Sequence, residues 1–290
     1  MNLCRDDLRP ALPRHAAFLL RELMGNFSYF TTSDGVRIAY RMDRHSSKPV
    51  LLLSNSIGTT LRMWDGEVTE LGRHFSVLRY DARGHGASSV PAGPYSLARL
   101  GHDVLELMDT LGIGQAHFLG LSLGGIVGQW LGIYAPTRID RLVLSNTAPY
   151  LGPAERFDAP IAEALQADDM TATAETFLRN WFPASLLEAP DPVVETFRAT
   201  LLATNRHGLV GSWRAVQETD LREAIARITR PTLVIAGEHD TVTAASYSVQ
   251  IAETIPGATL LVLPAVHLSN VEFPREFVDA VVKFMLSPAA

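Results

Sequence analysis

The chain has 290 residues, of which 47% are hydrophobic and 19% are charged, and its formal net charge is −6 at pH 7. This length allows one large domain or two small ones. The mild negative charge argues against nucleic acid or an anionic membrane as a partner, and no apolar run is long enough to predict a transmembrane helix. The single cysteine, Cys4, allows no intramolecular disulfide, so we expect a reducing, cytoplasmic location.

Residues 1–26 are predicted to be an N-terminal extension. They contain an apolar patch at Ala16–Leu20, but it is too short for the core of a secretory signal, and no small-residue cleavage site follows it. A short helix is predicted over about Arg14–Met24. The folded domain is therefore expected to begin at Phe27.

The segments that follow alternate between strand and helix patterns. Alternating residues on both sides of Asp34-Gly35 predict a β-hairpin. Apolar runs predict buried strands at Pro49–Leu53, Ser76–Tyr80, His117–Leu119, Arg141–Ser145, Pro231–Ala236 and Thr259–Leu263. Helices are predicted at Leu61–Leu71, Ser96–Leu111, Leu123–Tyr134, Ala244–Thr254 and Arg275–Met285. This order predicts an α/β fold with a mostly parallel central sheet and helices on both faces.

Residues 149–227 have a different pattern. Helical periodicity and several prolines occur there without a convincing strand. We expect a helical cap that is inserted into an α/β core made of residues 27–148 and 228–290.

Gly120-Leu121-Ser122-Leu123-Gly124 stands between a predicted strand and a predicted helix. A G-x-S-x-G sequence in this position is typical of a nucleophile elbow, a sharp turn that holds a serine hydroxyl above the sheet. The N–H of Leu123 is one of the unpaired donors of the following helix, and it can point at a developing oxyanion. Ser122 is therefore the predicted nucleophile.

A serine hydroxyl needs a base that is itself oriented by a carboxylate. In an elbow-type sheet both partners follow later strands. Asp240 follows the strand at Pro231–Ala236, and His267 follows the strand at Thr259–Leu263. Glu238 and His239 flank Asp240, but Asp240 lies farthest from the strand end, where a side chain can turn back into the site.

The second oxyanion donor is expected in the loop after Val50–Leu53, because that loop approaches the elbow from a neighbouring strand. We assign it to the backbone N–H of Ser56. The chain contains no His-x-x-x-His pair or Cys/His cluster, and no G-x-G-x-x-G follows its first strand. No metal or cofactor is therefore expected.

Several motifs together resemble the α/β-hydrolase superfamily and, more narrowly, the 3-oxoadipate enol-lactonases. They are Ser54–Thr59, Met63-Trp64, Asp81–Gly86, Gly120–Gly125 with Gly128-Gln129-Trp130, and His267–Asn270. The resemblance implies a Ser122–His267–Asp240 triad, an oxyanion hole at Ser56 and Leu123, and no cofactor. The candidate substrate-binding residues are Ile57, Trp64, Trp130 and Arg206.

The expected reaction is hydrolysis of a small lactone or ester through an acyl-enzyme. A dicarboxylate-type substrate needs a cation in the pocket, for which Arg206 is the first candidate and Arg62 the second, although a surface salt bridge is the competing role for either. Three alternatives stay open: a broad carboxylesterase, a hydrolase that cuts a carbon–carbon bond in vinylogous diketones, and a non-catalytic small-molecule receptor. Haloalkane dehalogenases and epoxide hydrolases need a carboxylate where Ser122 stands. The sequence gives no oligomeric state.

Overall fold

We analysed a computed structural model of the chain, which describes residues 27–45, 47–188 and 190–287. The N-terminal extension 1–26, with the helix predicted at Arg14–Met24, lies outside the described residues. Within the described part of the chain, no helix combines the length and the apolar character needed to cross a membrane.

Eight strands form one sheet. They are β1 (Ser28–Thr31), β2 (Arg37–Asp43), β3 (Val50–Ser54), β4 (Ser76–Tyr80), β5 (Ala116–Leu121), β6 (Ile139–Ser145), β7 (Thr232–Gly237) and β8 (Thr259–Leu263). Their spatial order is β1-β2-β4-β3-β5-β6-β7-β8. The first two pairings, β1 with β2 and β2 with β4, are antiparallel, and all the others are parallel. The predicted fold class, a mostly parallel sheet with helices on both faces, is confirmed.

Eleven α-helices lie in the described residues. They are α1 (Val68–Leu71), α2 (Leu97–Thr110), α3 (Leu123–Tyr134), α4 (Asp158–Gln166), α5 (Thr171–Trp181), α6 (Ala184–Leu187), α7 (Pro192–Ala203), α8 (Arg206–Gln217), α9 (Ala245–Thr254), α10 (Ser269–Glu272) and α11 (Pro274–Met285). Local chemistry explains several of the starts. The Ser96 hydroxyl accepts a hydrogen bond from the Arg99 N–H at 3.2 Å and caps α2, and the Asp191 carboxylate caps α7 in the same way.

The central strands, β3 to β7, are buried on both faces, which explains why they are apolar runs rather than alternating ones. In β3, Leu52 packs with one core cluster, whereas Leu51 and Leu53 pack with the other. All three side chains are fully buried, and each contributes about 1.5–3 kcal/mol to folding. Because these strands are parallel, their carboxyl ends meet at one edge of the sheet. The loops that follow them therefore share one side of the molecule.

Residues 149–227, which we call the helical segment, contain α4 to α8. The two ends of this segment are joined by a hydrogen bond from the Leu221 N–H to the Pro149 carbonyl at 2.8 Å. Helix α8 lies directly against the loop after β4, because a Cβ added to Gly208 would come within 2.0 Å of the Gly84 carbonyl oxygen. This close backbone contact fixes α8 relative to the sheet.

Candidate active site

Ser122 lies in the turn between β5 and α3, with φ 58° and ψ −115°. A positive φ at a residue other than glycine stores strain and needs support from its surroundings. That support comes from β6 and the loop after it, because the Ser122 N–H donates to the Ser145 carbonyl at 2.9 Å and the Thr147 hydroxyl donates to the Ser122 carbonyl at 2.8 Å. The Ser122 side chain makes no capping bond to α3, so its hydroxyl is left for chemistry.

The glycines that flank Ser122 allow the backbone to come close on both sides of the turn. A Cβ at Gly120 would lie 2.1 Å from the Gly124 carbonyl oxygen, and a Cβ at Gly124 would lie 2.2 Å from the carbonyl oxygen of Ser54. Both distances are far shorter than a carbon can occupy. The turn therefore needs glycine at both positions in order to seat α3 on β3 and β5.

His267 is oriented by a buried carboxylate. Its Nδ1 lies 2.8 Å from Asp240 Oδ2, and both side chains are almost completely buried. The Asp240 carboxylate also accepts hydrogen bonds from the Val242 N–H at 2.8 Å and from the N–H and hydroxyl of Thr243 at 2.9 and 2.8 Å. An ionised acceptor at Nδ1 keeps the proton on that nitrogen and leaves Nε2 as the basic atom.

Two opposing effects act on the Asp240 carboxyl. Burial raises the pKa of Asp240, but the charge of His267 and the hydrogen bonds from His267 and Thr243 outweigh burial and hold that pKa below its ordinary value. The carboxylate therefore stays ionised at neutral pH, as stabilisation of an imidazolium requires.

The two residues that precede Asp240 in the sequence lie at the surface, and an amide near Asp240 has a supporting role. Glu238 and His239 are exposed, whereas Asp240 is buried. Asn146, which follows β6, donates from Nδ2 to Asp240 Oδ2 at 3.1 Å. Asn146 therefore supports the carboxylate and does not replace it.

A cavity of about 210 Å³ lies between the strand ends and the helical segment. Ser122 and His267 both line it, so the two side chains face one space. Aromatic side chains of α5 and α8 form much of the opposite wall: Phe177 stacks on Trp213 with centroids 5.9 Å apart, and Trp181 packs edge-on against Phe177 at 5.0 Å. These aromatic residues could not be predicted from the sequence, because no motif marks which side of a helix faces the sheet.

Leu123 and Ile57 are the two candidates for the oxyanion donors, because both residues line the cavity that Ser122 lines. Leu123, the first residue of α3, lines the cavity as expected, and the neighbouring Gly124 N–H is already bonded to the Asn55 carbonyl at 3.0 Å. The expectation for Ser56 does not fit the structure, because its N–H donates to Met63 Sδ at 3.3 Å. Ile57 lines the cavity, and its N–H makes no hydrogen bond within the described residues.

The structure places both predicted substrate-binding tryptophans away from the cavity. Trp64 is fully buried, and its indole N–H donates to Asn55 Oδ1 at 2.9 Å, so it holds the loop after β3 in place from behind. Trp130 packs against α2, where a Cβ added to Gly101 would come within 2.0 Å of its ring. Of the four candidate substrate-binding residues, only Ile57 lines the cavity.

The positively charged side chain that lines the cavity is not the predicted one. Arg206 donates to the carbonyls of Ala167 and Asp168 just after α4, and Arg62 forms a surface salt bridge with Asp65 at 3.2 Å. Arg156 lines the cavity instead. The sequence does contain a signal that favours Arg156. It is the first basic residue after β6, whose carboxyl end adjoins the elbow.

A second buried carboxyl lies behind the histidine loop. Glu67 Oε1 accepts a hydrogen bond from Asn270 Nδ2 at 3.2 Å, while Glu67 Oε2 and Asn270 Oδ1 are buried and have no partner among the described residues. Burial raises the pKa of Glu67 to about 7, although hydrogen bonds from its own backbone and from Asn270 act in the opposite direction. Protonation gives the Glu67 carboxyl group an O–H donor in addition to its acceptor oxygens.

Comparison with known proteins adds to this geometry. Residues 49–274 match the family model described as the alpha/beta hydrolase fold. A 3-oxoadipate enol-lactonase of Acinetobacter baylyi is 38% identical over 261 residues, which cover 89% of this chain and 97% of that protein. The crystal structure of the enol-lactonase from Burkholderia xenovorans LB400 is 38% identical with a TM-score of 0.87, covering 90% of this chain and 100% of its own. The crystal structure of a hydrolase from Pseudomonas aeruginosa PA01 is 65% identical with a TM-score of 0.90, covering 91% and 99%.

Replacement of Glu67 by glutamine tests the buried carboxyl. Unfolded glutamate loses its proton near its ordinary pKa of 4.5 and folded Glu67 loses it near 7, so the stability of the native protein falls as pH rises through that window. Each pKa unit is worth about 1.4 kcal/mol. We expect Glu67→Gln to raise the free energy of unfolding at pH 8 by up to about 3 kcal/mol.

The measurement is urea denaturation at pH 5 and pH 8, and the gain should shrink towards pH 5. Glu276→Gln is the matched control, because Glu276 is exposed on α11, and it should change stability little at either pH. Equal stability of native protein and Glu67→Gln at pH 8 contradicts a raised pKa for Glu67 in the folded state.

Proposed function

The chain belongs to the α/β-hydrolase family, and we propose that it opens an enol-lactone through an acyl-enzyme formed on Ser122. Its relatives and its family make it a hydrolase that acts on ester bonds. The finer proposal is supported most strongly by one observation. The 2.8 Å hydrogen bond between His267 and Asp240 is buried at the edge of the same cavity that Ser122 lines.

In the proposed reaction, Nε2 of His267 takes the proton of the Ser122 hydroxyl as its oxygen attacks the lactone carbonyl. The ring oxygen leaves as an enol, which receives the proton back from His267 and then becomes a ketone. Water, activated by His267, attacks the acyl-enzyme and releases the acid. Asp240 holds His267 in the reactive tautomer and stabilises its charged form throughout.

We assign the oxyanion hole to the N–H groups of Leu123 and Ile57, in place of Leu123 and Ser56. Both lie at the cavity, whereas the Ser56 N–H is already engaged by Met63. An N–H group stabilises the oxyanion most when no other acceptor already occupies it. Loss of one such donor typically lowers kcat on the order of 10²–10³-fold.

We also propose that the helical segment, residues 149–227, acts as the cap and selects the substrate. The hydrogen bond between Leu221 and Pro149 supports this boundary, because the segment leaves and rejoins the sheet at one point. Most of the cavity wall opposite Ser122 comes from it. The choice of enol-lactone follows the activity for which two of the relatives are named.

A rate comparison tests the substrate class. We expect kcat/KM for 3-oxoadipate enol-lactone to exceed those for a neutral γ-lactone and for p-nitrophenyl butyrate by at least about two orders of magnitude, with Ser122→Ala as the blank. Two orders correspond to about 2.7 kcal/mol of transition-state binding. Comparable rates on all three substrates contradict the enol-lactonase proposal and favour a broad carboxylesterase.

Replacement of Asp240 by asparagine tests the assignment of the acid. The amide can still occupy the site, but it cannot stabilise a charged imidazole, and it offers His267 the wrong partner at Nδ1. We expect kcat to fall on the order of 10⁴-fold, the size of effect seen when a triad carboxylate becomes an amide. The control is Glu238→Gln, which removes an exposed carboxylate two positions away and should leave kcat unchanged; the reverse result shows that the acid was misassigned.

A further inference from the structure

The cavity wall carries a positive charge that no negative charge on the described part of the wall balances. Most lining residues are aliphatic or aromatic, and Arg156 is the one side chain among those described there that carries a permanent charge. No carboxylate lines the cavity in the described part of the chain. The reaction at Ser122 needs no cation on the helical segment, so Arg156 is left without a role in the chemistry.

The guanidinium of Arg156 is not used by the fold. Its backbone N–H closes a short turn by donating to the Pro153 carbonyl at 3.0 Å, but its side chain forms no ion pair with any described residue. Two other arginines of the helical segment, by contrast, have side-chain partners. Arg206 donates to two carbonyls, and Arg214 lies 2.6 Å from the Gln217 amide oxygen.

A guanidinium in this position suits a carboxylate. It offers paired N–H donors in a plane that matches the two oxygens of a carboxylate. Arg156 is exposed, so its charge stays hydrated while no ligand is bound, and the apolar walls around it reduce screening once a ligand fills the cavity. Asn180 and Thr176, both on α5, line the same cavity and add neutral polar groups.

We propose that Arg156 is a specificity-determining residue that binds a free carboxylate on the lactone substrate. The inference rests on the proposed hydrolase function and defines its substrate class as anionic lactones. 3-Oxoadipate enol-lactone belongs to that class, because an adipate carries two carboxyl groups and only one of them is closed into the ring. Arg156 acts at the end of the substrate that does not react.

Binding to an inactive variant tests this role independently of turnover. The two probes are a saturated γ-lactone with a carboxymethyl substituent, which is an anion, and the methyl ester of the same compound, which is neutral. Calorimetric titration of each probe into Ser122→Ala, with and without Arg156→Gln, gives the change in Kd. We expect Arg156→Gln to weaken binding of the anion on the order of 10- to 100-fold and to leave binding of the methyl ester nearly unchanged.

Two further variants make the readout specific. Arg156→Lys keeps the charge but not the planar pair of donors, and should recover part of the lost affinity. Arg275→Gln removes the same charge from an exposed position on α11 and should change neither Kd. In the active enzyme, Arg156→Gln should raise KM for the anionic lactone and leave kcat nearly unchanged, because the carboxylate is bound equally in the ground and transition states.

Equal weakening of both probes, or no weakening of either, overturns the inference. The first result means that Arg156 only shapes the wall, and the second means that it does not touch the ligand. Failure of the proposed function has a different signature, namely hydrolysis that persists in Ser122→Ala, and the binding titration still reports on Arg156 in that case.

Discussion

The backbone turn at Ser122 is the constraint on which the rest of the site depends. Ser122 holds a positive φ of 58°, and the surrounding backbone is so close that a Cβ at Gly124 would lie 2.2 Å from the Ser54 carbonyl oxygen. This approach brings the end of β3 beside the start of α3. As a result, the nucleophile and both proposed oxyanion donors, Leu123 and Ile57, face one cavity.

The two buried carboxyls near His267 show how surroundings set protonation. Asp240 accepts hydrogen bonds from Val242, Thr243 and His267, which hold its pKa low in spite of burial. Glu67 accepts only one hydrogen bond from another side chain, that of Asn270, and burial raises its pKa. One carboxyl is thus suited to stabilise a positive charge, whereas the other is suited to join two segments of the fold as a neutral acid.

Features that depend on local chain chemistry could be predicted from the sequence. The sheet and its mostly parallel strand order follow from the apolar runs. The order of Ser122, Asp240 and His267 along the chain follows from the loops after those runs. Contacts across the fold could not be predicted in this way. We propose Ile57 rather than Ser56 as the donor after β3, because the Ser56 N–H bonds to Met63 Sδ, and no pattern in the sequence records that contact. Arg206 and Arg156 look alike in the sequence, and only packing of the helical segment shows which one faces the cavity.

Acylation of Ser122 is the step on which the proposed mechanism rests, and mass spectrometry of the trapped intermediate can detect it. The protein is mixed with p-nitrophenyl butyrate, quenched with acid within milliseconds to seconds and digested. We expect one butyryl group on the peptide that contains Ser122 and no adduct in Ser122→Ala. An adduct on another residue, or hydrolysis by Ser122→Ala at the native rate, contradicts the account.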